Sequence, residues 1–483
     1  MARARFLRLW TLWSAFYLAL AVIGPNGLVP VPVWPVVSQH ILQTRAWLGD
    51  DIVASQPDAA EDLLIPVAPA LEVTPYFRHR VVRDPREDTL VSNLAVAVRE
   101  PEGLLTPIQA VWTGSDELLR SASLVCHIGF PPGPSFLLLP LYWILGGLLA
   151  TQWLGALLGG LAVAVMDRLI ADWSAMMGMG DGLPGANALV WLAGAGTLWL
   201  WVSPDGGTFL FAQVVGTTAL AIAMLAASRG HRWAAGLAFG LAITSRPSML
   251  GALPILLAFC MLQGETSRRA LQGMEKRTVI ATFLGHCGPM LAGPTIFGTI
   301  ALLLNKMRFG SPGEFGYSFM IVPPFLRERL LEHGQLSWSY LARNLHYVGL
   351  QAPMAIRNDG GNLVFPYFAS DPHGMGLVFV TPAFLALIAA VWVTGRKQGK
   401  VLAAAWLSLV LVCLPGLLYY NTGWVQWGGR FLIDAWPLWL LLAAIGLRRL
   451  PPRLSIVLIV MSVVSNGWGA LLVALRAWPG CCM

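Results

Sequence analysis

Apolar runs of about 17–25 residues recur along nearly the whole chain, separated by short polar breaks. Segments of that length satisfy their own backbone groups in lipid only as helices. The pattern predicts about eleven membrane helices, at roughly 9–30, 150–166, 187–202, 209–227, 233–245, 248–263, 278–304, 375–395, 401–419, 431–447 and 454–475. A further apolar stretch, 135–147, follows Phe130-Pro131-Pro132-Gly133-Pro134. It is short for a crossing and is assigned to the interface or to a re-entrant position.

Two long segments, 31–149 and 305–374, interrupt this series. The first opens with His40-Ile41-Leu42-Gln43-Thr44-Arg45-Ala46-Trp47-Leu48, which suits an amphipathic helix lying in the interface. Its Pro-broken continuation, 54–120, reads as an irregular insertion. No internal repeat or low-complexity tract is present, and the expectation is a single polytopic membrane domain over 1–483.

Charge orients the scheme. With the N-terminus inside, short cytoplasmic turns carry Arg229 and Arg232; Arg268, Arg269, Lys276 and Arg277; Arg396, Lys397 and Lys400; and Arg448, Arg449 and Arg453. A register moved by one helix would place all of these clusters outside. Both long segments then share the outer side, where loops of such length tend to be functional. Arg3, Arg5 and Arg8 ahead of the first apolar run also resemble the start of a signal peptide, but no small-x-small cleavage site follows, so an uncleaved first helix is expected.

Composition agrees with a lipid environment: 56% of residues are hydrophobic, 12% are charged, and mean hydropathy is +0.64. A soluble domain carries about a quarter charged residues. The net charge of +7 comes from small groups between apolar runs and forms no long basic tract, which argues against a nucleic-acid partner. Cys126, Cys260, Cys287, Cys413, Cys481 and Cys482 show no metal-ligand spacing.

Ionisable residues near membrane depth are costly, and each is a functional candidate. Arg246, in Thr244-Ser245-Arg246-Pro247, lies at a predicted outer helix end, where its guanidinium would grip a phosphate bidentately or form a structural salt bridge. Arg430 closes the stretch Tyr419-Tyr420-Asn421-Thr422-Gly423-Trp424-Val425-Gln426-Trp427-Gly428-Gly429-Arg430, just ahead of a helix containing Asp434. An aromatic belt explains the rings; Gln426 and the Gly pair suit close approach to a ligand. Asp205, in Ser203-Pro204-Asp205-Gly206-Gly207, is the sole acid of a tight outer turn, a place Asp also takes for backbone reasons. Lys306, Arg308 and Glu314 surround a Gly-rich turn, as at an anionic-headgroup site, although snorkelling accounts for the cations as well. Phosphate-binding loops, His-Glu-x-x-His and Gly-x-Ser-x-Gly are missing, which disfavours an ATP-driven pump or a metalloprotease.

Four stretches carry a resemblance as a group: Phe130-Pro131-Pro132-Gly133-Pro134; Gly236-Leu237-Ala238-Phe239-Gly240 through Arg246-Pro247; Arg308-Phe309-Gly310-Ser311-Pro312 through Glu314-Phe315-Gly316-Tyr317; and Tyr420-Asn421-Thr422-Gly423-Trp424 through Arg430-Phe431. In order and spacing, over about 130–475, they resemble the GT-C superfamily of polytopic glycosyltransferases. The nearest likeness is to the bacterial branch related to protein mannosyltransferases and lipid A aminoarabinose transferases. The resemblance implies a GT-C-type helix bundle in a bacterial inner membrane, interfacial helices in the first outer loop, and a periplasm-facing site that takes a sugar from a polyprenyl phosphate. It also implies a base in the first outer loop just after the first helix, a second acid in the next outer turn, and basic residues on the lipid phosphate. Arg246, Lys306, Arg308 and Arg430 match the basic positions in placement, and Asp205 matches the second acid.

The first acid is missing: the chain reads Val36-Val37-Ser38-Gln39-His40, with no carboxylate until Asp50 and Asp51. Asp51, His40 and Asp205 are therefore the candidate bases, with Asp205 or Glu314 alternatively holding a divalent cation through oxygen. Glu314, Trp424 and Gln426 are candidate substrate contacts. The acceptor would be a saccharide, lipid or protein. A transporter or flippase for lipid-linked saccharides and a polymerase of lipid-linked glycans are the competing classes; the first should show repeat symmetry and polar groups through the midplane.

Overall fold

The computed structural model describes residues 2–23, 40, 41, 44, 47, 94–99, 105–107, 124–128, 130–180, 184–262, 276–316, 324–391, 399–423 and 426–474. Its main helices are α1 (Ala2–Ile23), α2 (Gly133–Leu145), α3 (Thr151–Met176), α4 (Ala186–Ala195), α5 (Thr208–Ser228), α6 (Arg232–Ser245), α7 (Leu253–Leu262), α8 (Lys276–Phe309), α9 (Pro324–His333), α10 (Gly399–Leu417), α11 (Trp436–Arg449) and α12 (Pro452–Ala474). Among the described residues six helices are long and apolar enough to cross a membrane: Thr151–Met176, Thr208–Ser228, Ala281–Phe309, Gly399–Leu417, Arg430–Arg449 and Pro452–Leu472. The chain is thus a multi-pass helical membrane protein.

Every predicted apolar window carries helix, but several are not single rods. The window 187–202 ends α4 at Gly196 and resumes as the short turn Trp199–Val202. The 375–395 window breaks into Leu377–Val380, Pro382–Ala386 and Leu387–Val391, because Pro382 has no N–H to continue the ladder. For the same reason 248–263 starts as a 3-10 turn, Pro247–Ala252. The apolar stretch 135–147 is the 13-residue α2, shorter than a crossing helix.

The chain is mostly helical, with two small sheets in its long segments. Strands β1 (Leu94–Arg99), β2 (Leu105–Pro107) and β3 (Leu124–Ile128) form an antiparallel sheet in the order β2-β1-β3, of which β1 and β2 fall within the stretch 54–120 expected to be irregular. Strands β4 (Met354–Arg357) and β5 (Leu363–Ala369) form a second, two-stranded sheet in 305–374. Neither sheet stands in a long apolar run, so neither left a membrane-type signal in the hydrophobic pattern.

Burial sorts the helices. In α5 83% of the apolar window is covered by other protein, against 22% in α8 and 28% in α12. α5 is therefore central, while α8 and α12 turn apolar side chains such as Leu303, Val460 and Val464 outward. The α6–α8 contact relies on small residues: a Cβ added at Gly240 would meet the Gly293 carbonyl oxygen at 2.8 Å, and one added at Gly293 would run into the backbone of Gly236. Small residues let membrane helices approach this closely. Stacked Trp199 and Trp436, 4.6 Å between ring centroids, help tie α11 to the centre.

The polar groups divide between two ends. At one, Arg5 pairs with Asp167 at 2.7 Å and Arg229 with Asp172 at 2.7 Å, joining α1 to α3 and α3 to the end of α5. At the opposite end of α3, the Thr151 hydroxyl donates to the Gly206 carbonyl at 2.7 Å. The candidate residues collect at this second end.

Candidate functional site

The turn before α5 forms one side of the site. Gly206 has φ +75°, in the left-handed region that glycine adopts without strain, and a side chain there would collide with the Gln152 backbone. Asp205 Oδ1 accepts the Gly207 N–H at 2.9 Å, which shapes the entry into α5. The carboxyl is half-buried. Burial pushes its pKa above the ordinary range, while the Gly207 N–H and the charge of Arg430 pull it partly back.

Arg430 begins the 3-10 turn Arg430–Ala435, directly after Gly428 (φ +77°) and Gly429. Its guanidinium carbon lies 5.2 Å from the Phe209 ring centroid and 5.4 Å from that of Phe431. The Nε is buried without a hydrogen-bond partner, and the side chain forms no ion pair among the described residues. Its own carbonyl accepts from Gln213 Nε2 at 2.9 Å, so α5 grips the backbone from which this cation projects.

Arg246 is placed differently. It follows α6 and donates from Nε to both Asp434 oxygens, at 3.2 and 3.1 Å, with Nη2 at 3.1 Å from Oδ2. Asp434 also accepts from Ser248 Oγ at 2.6 Å and Gln213 Nε2 at 3.3 Å. Arg246 thus forms a salt bridge with Asp434.

Arg308, at the end of α8, is buried; Nη2 donates to Asn305 Oδ1 at 2.6 Å and Nη1 to the Phe130 carbonyl at 3.4 Å. Phe130 meets Phe209 edge-on at 4.9 Å, so Arg308 and Arg430 flank one aromatic pair. His40 packs on the same pair's Phe130 at 5.9 Å, with Nε2 3.2 Å from the Thr208 carbonyl oxygen. The amphipathic stretch that begins there is helical at 40, 41, 44 and 47; it buries Thr44 against Ser135 and stacks Trp47 on Phe136 of α2. The fold thus brings His40, Asp205, Arg246, Arg308 and Arg430 together from separate segments.

The other candidates are held as follows. Lys306 is exposed on α8. Glu314 Oε1 accepts the Gly316 N–H at 2.6 Å within its own turn. Gln426 is buried and braces a loop, donating to the carbonyls of Thr422 at 2.8 Å and His373 at 3.0 Å. Asp51 and Trp424 lie outside the described residues. No group of three or more His, Cys, Asp and Glu side chains suited to a metal is present among the described residues. A depression of about 540 Å³ lined by Arg232, Trp233 and Pro289 is at the other ends of α5 and α6 and shares no residue with the cluster.

Asp434 and Gln213 were not among the sequence candidates. Both were visible as polar residues inside apolar windows, the signal that marks a buried polar network at membrane depth.

His40 yields a pH prediction. A carbonyl only accepts, so the ring nitrogen facing Thr208 carries the proton; burial lowers the pKa from 6.5 to about 4 and keeps the ring neutral. A folded-state value below the unfolded one stabilises at pH above 6.5 and loses that contribution as pH falls toward 4, roughly 3 kcal/mol in all. Thermal unfolding in detergent should show His40→Gln losing less stability than wild type between pH 7 and 5. Parallel acid limbs for the two proteins would refute this.

The chain matches no protein-family model, no curated protein and no solved structure.

Proposed function

We propose that the chain is a membrane glycosyltransferase of the GT-C kind, with about eleven membrane helices. It moves a sugar from a polyprenyl-phosphate donor to a saccharide, lipid or protein acceptor at the extracytoplasmic face of a bacterial inner membrane, with its N-terminus in the cytoplasm. The observation that carries the reading is Arg430: a cation framed by Phe209 and Phe431, with Nε buried and unpartnered, beside Asp205. A buried donor without an acceptor is costly, and a phosphate oxygen would satisfy it. Arg308 adds positive charge across the same aromatic pair. Developing charge on a departing phosphate is what such fixed cations stabilise. Asp205 holds a counter-charge beside Arg430.

The test is transfer from a panel of radiolabelled polyprenyl-phosphate hexoses, pentoses and aminopentoses to a membrane extract by the purified protein. Wild type should move label, and Asp51→Asn, His40→Ala and Asp205→Asn examine the three bases suggested by the sequence. If no donor is consumed while polyprenyl phosphate still binds, the transferase reading fails and a carrier of lipid-linked saccharides replaces it.

A further inference from the structure

Strand β5 does not run straight beside β4. Ala355 pairs with Phe368 and Arg357 with Leu363, so between these rungs β4 advances two residues while β5 advances five. Residues 364–367 therefore arch out of the ladder. Tyr367 has φ +66°, a backbone conformation that an aromatic residue rarely takes. The arch also breaks the in-and-out alternation of a strand: Phe365 is 51% exposed, and Tyr367 and Phe368, consecutive in the chain, are both 48% exposed. The other side of the hairpin is held down, with Pro366 and Ala369 buried and Ile356 packed on the core.

A contiguous apolar patch of this kind marks contact with a partner or a membrane, and the position of the hairpin selects the membrane. Phe365 meets the Trp468 ring edge-on, with centroids 6.0 Å apart, and Trp468 Nε1 donates to the Phe368 carbonyl at 3.1 Å. Trp468 belongs to α12, which is long and apolar enough to cross a membrane and turns Val460, Val464 and Leu471 outward. This helix begins beside the basic turn that holds Arg448, Arg449 and Arg453. From Arg453 to Trp468 the helix rises about 22 Å at the usual 1.5 Å per residue, less than the roughly 30 Å of a hydrocarbon core. With Arg453 at one boundary of that core, Trp468 and the arch bound to it stand at the depth of the opposite leaflet. The hairpin tip supplies a polar counterpart. Asn358, Asp359 and Asn362 are exposed, and the tip closes on itself: the Asn358 N–H donates to the Asn362 carbonyl at 3.0 Å and Arg357 Nη1 to the Gly361 carbonyl at 2.7 Å. An aromatic flank joined to a polar end suits the boundary between acyl chains and headgroups.

We propose that the aromatic arch 364–368 inserts into the lipid leaflet opposite the 448–453 turn and anchors the hairpin beside α12. Its occupant is phospholipid, with acyl chains against Phe365, Tyr367 and Phe368, because the arch continues the outward apolar face of a membrane helix. This contact does not depend on the transferase chemistry.

The experiment places benzoylphenylalanine at 365, 367 or 359, one position at a time, in the full-length protein reconstituted into vesicles of phosphatidylethanolamine and phosphatidylglycerol. After irradiation, the variants at 365 and 367 should gain the mass of one phospholipid, and the variant at 359 should not. Adducts at 365 and 367 no more frequent than at 359 overturn the proposal. Cross-linking of 365 or 367 to a second copy of the chain also overturns it, by giving the arch to a protein interface. Hydroxyl-radical oxidation of the unmodified protein in the same vesicles needs no substitution. Tyr367 should be oxidised far more slowly there than in the guanidinium-unfolded chain, and equal rates overturn the insertion.

Discussion

If the proposed transferase reading holds, Arg430→Ala is expected to lower kcat/KM for the polyprenyl-phosphate donor by about 10²–10³, the usual cost of removing one fixed donor to a developing anion. The size of the effect follows from the surroundings. Phe209 and Phe431 cover the guanidinium, and its Nε is shielded from water, so the charge meets a phosphate with little solvent screening. Arg430→Lys should recover only part of the loss, because an ammonium restores charge but neither the planar fork nor the stacking on the two rings. Initial rates at varied donor concentration decide the matter. Rates within twofold of wild type for Arg430→Ala would remove the main support for the transferase reading. By contrast, Lys306→Ala should change little, because Lys306 is exposed on α8.

The second large effect is on stability. Asp434→Ala should destabilise the protein by about 3–5 kcal/mol, since it takes the paired carboxylate away from the buried cation of Arg246. The Asp434 side chain is 2% exposed and that of Arg246 14%, so water does not replace the lost acceptor. Ser248 loses its acceptor at the same time, and Gln213 loses one of its two. Removing both charges, as in Arg246→Met with Asp434→Leu, should return most of the stability, because a paired apolar replacement leaves no orphaned ion. Thermal unfolding in detergent, followed by size-exclusion chromatography, separates the outcomes. Equal destabilisation by the single and the double variant would show that the pair is not what holds these segments together. Gln213 also carries the Arg430 carbonyl, so Asp434→Ala should weaken donor use in whatever protein remains folded.

Several parts of this architecture were legible in the residues. Length and apolarity located the helices, since a lipid-facing backbone has no other way to bond itself. Arg5 pairs with Asp167 and Arg229 with Asp172 at one end of the bundle, and the candidate residues gather at the other. The interruptions at Gly196 and Pro382 were less legible, because an apolar window records burial in lipid or protein and not continuity of the hydrogen-bond ladder. The two small sheets escaped for a related reason: β4 mixes Met354 and Ile356 with Arg357 over only four residues, too short for alternation to stand out.

By itself the sequence determined the membrane class, the helical windows, the uneven loops and a short list of ionisable residues at their edges. Only the tertiary structure decided which of those residues keep company. Arg246 and Arg430 look alike as arginines beside apolar runs, yet one is claimed by Asp434, 188 positions away, and the other is not. Asp371 and His373 are neighbours in the chain, but only the contacts through Gln426 and Gly428 set their turn against the loop that precedes Arg430. The physical reason is that a helix end reveals its own charge and cap locally, while the partner that neutralises the charge arrives from another segment. Whether a cation binds a ligand or an aspartate is a property of the packing.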